Sequence, residues 1–135
     1  MPSHQWAVWK TKFDNYINEL NIATTMETKR AIIYARSASD SQEERGPLSV
    51  STQLEVCASK AAKKGYKVIA EIGEYPASGH TKGGEGLQLL REIVRQDCVD
   101  AVIVTEASRL SRDIELFSEL SMEFAEEGTQ ILFAR

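Results

Sequence analysis

The chain has 135 residues, 42% of them hydrophobic and 27% charged, which is the size and balance of one globular domain with a single core. With 16 Lys and Arg against 20 Asp and Glu the net charge is −4, so a uniformly basic nucleic-acid-binding surface is excluded and only a local basic site remains open. No apolar run approaches the roughly 18 residues of a membrane span, and the opening residues (His4, Gln5, Lys10, Lys12) lack a signal-peptide core, so a cytoplasmic protein with no membrane partner is expected.

In chain order, Trp6, Trp9, Phe13, Tyr16 or Ile17, and Leu20 recur at helical spacing, which predicts an N-terminal helix with one apolar face. Such a stripe packs onto the domain or onto a second copy, with a cofactor or base-stacking role for Trp6 and Trp9 as the alternative. Residues 21–30 read as a polar connector, so residues 1–30 form an extension and residues 31–135 the main domain. Four short runs rich in β-branched or aromatic residues then predict strands at 31–35, 66–72, 101–105 and 130–134.

Helical patterns separate these runs. Val50, Leu54, Cys57, Ala58, Ala61 and Ala62 mark a first amphipathic helix that stops near Gly65, with Ser49 as its N-cap. Leu87, Leu90, Ile93 and Val94 mark a second. Ile114, Leu116, Phe117, Leu120 and Phe124 mark a third, with Asp113 and Glu115 at its start and Gly128 past its end. Strand and helix alternate, which predicts an α/β fold: a mostly parallel sheet of four or more strands with helices on both faces. Ligands of such folds bind beyond the carboxyl ends of the strands, here at loops 36–49, 73–86 and 106–112.

Arg36 ends the first strand, and Arg109 and Arg112 follow the third, so three guanidinium groups distant in sequence converge on one sheet edge. Their planar forks of donors match phosphate oxygens and the extra charge of a phosphoryl-transfer transition state. Serines crowd the same loops without singling out a nucleophile. Gly73, Gly79, Gly83, Gly84 and Gly86 match no phosphate-binding glycine motif and read as a mobile loop over the site. Cys57 and Cys98 show no CxxC spacing and the chain holds only two histidines, so no metal is expected and both cysteines read as small buried hydrophobes.

Together these motifs resemble the serine recombinases, the family of resolvases, DNA invertases and large serine integrases. Tyr34, Arg36 and Gln42 fit the family's Tyr-x-Arg-x-Ser signature and the glutamine that follows it. Ser49 and Gln53 fit its Ser-x-x-x-Gln element, Ser78 and Gly79 its Ser-Gly pair, and Arg109, Leu110 and Arg112 its Arg-Leu-x-Arg element. The resemblance implies a resolvase-like catalytic domain acting on double-stranded DNA without metal or cofactor. In it, Arg36, Arg109 and Arg112 surround the scissile phosphate and Gln42 and Ser78 support the site. It further implies a homodimer or homotetramer in a longer protein, with an assembly helix and a DNA-binding region beyond residue 135.

Three positions depart from the pattern. Ala38 stands where the family has its nucleophilic serine, and alanine has no oxygen with which to attack phosphorus, so the chain is expected to be inactive as it stands. An engineered replacement and a natural non-catalytic relative acting in DNA-complex assembly both fit that alanine. Gly83, Gly84 and Glu85 occupy a stretch where the family often has an arginine, and Lys82 replaces its charge without its bidentate fork. Ser108 stands in place of a common aspartate.

Overall fold

The computed structural model describes residues 28–37, 49–75 and 84–135. The predicted N-terminal helix lies outside them. The elements are β1 (Arg30–Arg36), α1 (Val50–Lys64), β2 (Lys67–Glu74), α2 (Glu85–Gln96), β3 (Ala101–Val104), the single turn α3 (Ala107–Leu110), α4 (Ile114–Glu126) and β4 (Gln130–Phe133). The strands form one parallel sheet in the order β2-β1-β3-β4, so β1 and β3 are central.

The central strands are apolar on both sides because helices cover both sheet faces. Ile32, Tyr34, Val102 and Val104 face a core completed by Leu87, Leu90 and Val94 of α2 and Leu116, Leu120 and Phe124 of α4. Ala31, Ile33, Ala101 and Ile103 alternate with them and meet Cys57 and Ala61 of α1 on the opposite face. Small side chains on this second side let α1 pack close to the sheet. Each fully buried Ile, Leu or Phe contributes about 1.5–3 kcal/mol of transfer free energy.

Local signals set the helix ends. Ser49 Oγ accepts from the Thr52 amide at 3.1 Å, and Gly65 closes α1 at φ 79°, a left-handed conformation that favours glycine. Asp113 Oδ1 accepts from the Glu115 and Leu116 amides at 2.9 and 3.4 Å and starts α4, while Gly128 turns the chain at φ 78° into β4. Arg91 of α2 forms a bidentate pair with Glu123 of α4, at 3.0 and 2.6 Å, that ties the two helices of one face.

Several expectations need correction. Ile114 fits the apolar spacing of its helix but is 83% exposed, at the first residue of α4. Ala62 is exposed as well, with α1 burying Val50, Gln53, Cys57 and Ala61 instead. Cys57 is buried as expected, whereas Cys98 is exposed in the turn between α2 and β3. The 106–112 loop contains the helical turn α3, and β2 runs on through Gly73 and Glu74. Among the described residues no helix is long and apolar enough to cross a membrane.

Candidate functional site

Parallel strands place their C-terminal residues along one edge, and β1 and β3 bring Arg36 and the Arg109 turn to adjacent positions there. The Arg36 guanidinium donates through Nη2 to the Ser108 carbonyl at 2.7 Å. In return Arg109 donates through Nη1 to the Arg36 carbonyl at 3.0 Å. Each arginine is thus held by the main chain of the other's segment. Carbonyl anchors orient a guanidinium without neutralising it.

Gln53 completes the frame from the opposite sheet face. Its side chain is buried in α1, donates from Nε2 to the Arg36 carbonyl at 3.0 Å, and accepts the Arg36 amide at Oε1 at 3.2 Å. The end of β1 therefore continues its hydrogen bonding through a side chain where one sheet neighbour has stopped.

Arg109 is 5% exposed, and its Nε has no hydrogen-bond partner. The Glu106 carboxylate lies 3.7 Å from that atom and is itself half exposed. Arg112 is exposed, in a loop braced on either side of it: Ser111 Oγ accepts the Asp113 amide at 3.0 Å and donates to the Asp113 carbonyl at 3.1 Å. Burial pushes the Arg36 guanidinium below its ordinary pKa, with Arg112 and Arg109 adding repulsion and Tyr34 and Glu74 opposing it. Three guanidinium groups therefore act on one another at this edge, with the Glu106 and Glu74 carboxylates beside them.

Glu74 is the feature that the strand pattern missed. It is the register partner of Arg36 at the end of β2, and it is buried. Its Oε1 accepts the Tyr34 hydroxyl at 2.5 Å and the Leu87 amide at 3.1 Å, and its Oε2 accepts the Gly86 amide at 2.8 Å. Glu74 therefore caps α2, whose own N-cap, Gly84, supplies no side chain. The glycines follow from this contact. A Cβ at Gly84 would stand 2.1 Å from Glu74 Oε2, and one at Gly86 would stand 3.0 Å from Glu74 Oε1. These two glycines admit a carboxylate to a helix end, where a mobile loop was expected. Burial, then the bond to Glu74, holds the Tyr34 hydroxyl far above its usual pKa.

Of the site residues drawn from the sequence, the structure brings together Arg36, Arg109 and Arg112. Ala38, Gln42, Ser78 and Lys82 lie outside the described residues. The sequence motif places Gln53 without giving it a role, which the bonds to the Arg36 peptide supply. A continuing alternation past Ile72 was the available signal for Glu74.

A family model described as Resolvase, N terminal domain, matches residues 31–135. Among solved structures, the C-terminal catalytic domain of ISC1926 TnpA, an IS607-like serine recombinase, is 33% identical with a TM-score of 0.66. That alignment covers 78% of this chain and 70% of the TnpA domain. The N-terminal catalytic domain of TP901-1 integrase shares the fold at 23% identity and a TM-score of 0.70, covering 78% of each chain. A resolvase family site-specific recombinase from Streptococcus pneumoniae does so at 17% identity and a TM-score of 0.68, covering 79% of this chain and 72% of its own. No curated protein sequence matches significantly. With the parallel sheet, the paired arginines and a family match over the whole span from β1 to residue 135, the chain belongs to the resolvase family of serine recombinases, as its catalytic domain.

Proposed function

We propose that this domain grips a phosphate of double-stranded DNA with Arg36, Arg109 and Arg112, in the manner of a site-specific recombinase, and that Ala38 leaves it unable to cleave as it stands. The observation that supports this most directly is the Arg109 guanidinium: buried, anchored through Nη1 to a carbonyl, and left with an Nε–H that has no hydrogen-bond acceptor. A buried unsatisfied donor costs about 1–3 kcal/mol, so this cation is held in place at a cost that the charge of a nearby anion would offset. Preorganised cations of this kind stabilise charge without rearranging during the reaction.

In the family's reaction a serine oxygen bonds to phosphorus as the bond from phosphorus to the 3′ oxygen breaks. The products are a 5′-phosphoserine link and a free 3′ hydroxyl, whose proton balances the one lost by the serine. Reversal on a new partner strand rejoins the DNA. Here the attacking position is Ala38, so the arginines are left with a phosphate to hold and no nucleophile to direct. Gln42, Ser78 and Lys82 are assigned supporting contacts to the same phosphate. Strand exchange requires a homodimer or homotetramer, and we place residues 1–30 outside the catalytic unit of residues 31–135. The arginines supply the charge stabilisation, so the reading calls on no metal or cofactor.

The test is covalent capture. The protein is expressed from its complete gene with Ala38 or with Ala38→Ser, incubated with DNA from the flanks of that gene, and run on a denaturing gel. A protein–DNA adduct with Ala38→Ser alone is the expected result. An adduct with Ala38 present would place the nucleophile elsewhere. DNA binding with no adduct from either protein would instead favour a non-catalytic relative that acts in complex assembly.

A further inference from the structure

We propose that Glu74 is the internal counter-charge of the arginine site, a positioning residue that holds Tyr34 and the start of α2 beside Arg36 while limiting how strongly the site binds an anion. This rests on the reading of the arginines as a phosphate site. Three geometric facts carry it.

First, Glu74 and Arg36 are register partners on adjacent parallel strands, and Tyr34 lies two residues before Arg36, so all three share one sheet face. Second, the Glu74 carboxylate is buried and occupied by one hydroxyl and two amides, all from the protein. It therefore orients the structure around Arg36 without forming the bidentate pair that would block the guanidinium. Third, the Gly86 and Leu87 amides at the start of α2 are taken by this carboxylate, so these two donors are not open to a DNA phosphate. The field of Glu74 acts on Arg36 together with those of Arg109 and Arg112. A counter-charge held one strand away keeps three cations together in the free protein, at the cost of weaker ground-state anion binding.

The experiment is an NMR titration of the chain with inorganic pyrophosphate at low salt, read at the side-chain Nε–H signals of Arg36, Arg109 and Arg112. Glu74→Gln removes the charge with little change of shape, and Glu74→Met makes the same charge change without adding an amide near the α2 donors. Tyr34→Phe removes one hydrogen bond and keeps the charge. All three are expected to lower stability. Glu74→Gln and Glu74→Met are expected to tighten pyrophosphate binding by roughly tenfold, the scale of one unit charge acting over several ångströms near a protein surface, with the gain shrinking as salt is added. Tyr34→Phe is expected to give no gain.

A residue with only a structural role would weaken binding when replaced, so the sign of the change separates the two cases. Arginine signals that respond in the unsubstituted chain, with equal or weaker affinity in the folded Glu74 variants, would overturn this inference and leave the phosphate site standing. Arginine signals that do not respond in the unsubstituted chain would overturn both.

Discussion

Replacing Gln53 with methionine tests whether the site is built on a side chain that closes a strand end. Methionine matches glutamine closely in volume, so the buried space in α1 stays filled and the change isolates polarity. The substitution removes the bonds at 3.0 and 3.2 Å that bracket the Arg36 peptide. The Arg36 carbonyl keeps Arg109 as a donor, whereas the Arg36 amide loses its glutamine acceptor beneath a covered face. Two net hydrogen bonds at about 1 kcal/mol each, with a further 1 kcal/mol or more for a buried amide left unpaired, give a loss of roughly 3 kcal/mol. For a domain of this size, with a urea m-value of about 2 kcal/mol per molar, the midpoint of urea unfolding should fall by roughly 1.5 M at unchanged slope. Circular dichroism through the transition measures both quantities. A midpoint shift under about 0.3 M would show that water replaces the glutamine without penalty, and that the Arg36 peptide is not anchored from α1.

Two further predictions follow from the same edge and from the packing behind it. Gly84→Ala places a methyl group 2.1 Å from a carboxylate oxygen that cannot withdraw without releasing Tyr34 and the α2 amides, so a loss of about 1–3 kcal/mol is expected in the same urea experiment. Unchanged stability would show that Glu74 is free to move. In thiol labelling of the native chain near pH 8, Cys98 should react at once and Cys57 only on unfolding. Burial raises the Cys57 thiol from 9.0 to about 11, so its reactive thiolate is scarce at that pH as well as covered. Two equally fast thiols would contradict the close packing of α1 on the sheet.

The alternation of strand and helix was legible because this sheet is covered on both sides. Runs such as Ala31 to Ala35 and Ala101 to Val104 are apolar at every position, a pattern that short surface strands do not show. The convergence of Arg36, Arg109 and Arg112 followed from topology, since parallel strands gather their C-terminal ends without any contact having to be known. What stayed hidden depended on side-chain direction. Ile114 satisfies helical periodicity, yet it sits where α4 begins and meets solvent. Glu74 lies where a polar residue reads as loop, and its burial makes sense only once the N-terminus of α2 is known to lie against it. Gln53, polar on an apolar helix face, gave a signal of its own: a buried amide there has to be answering a backbone group.

The way the arginines are held decides what the site can do. Had Arg36 and Arg109 been fixed by bidentate carboxylates, each pair would be neutral and an incoming phosphate would have to displace a partner as good as itself. Carbonyl oxygens of Ser108 and Arg36 hold them instead, and the one ion pair at Arg109 among the described residues, with half-exposed Glu106 at 3.7 Å, is not bidentate. Among the described residues, the buried carboxylate beside them, Glu74, is turned toward a tyrosine and a helix end. Arg112 and Arg109 both disfavour the charged form of Arg36 while Glu74 opposes them, and on the proposed reading a bound anion would relieve that repulsion. On the same proposed reading, a chain with a net charge of −4 can offer a local phosphate site, because the charge that matters acts within a few ångströms and is not averaged over the surface. Under the proposed phosphate-binding role, phosphate affinity should be the same with Ala38 and with Ala38→Ser, since the bonds that hold Arg36 and Arg109 do not involve residue 38.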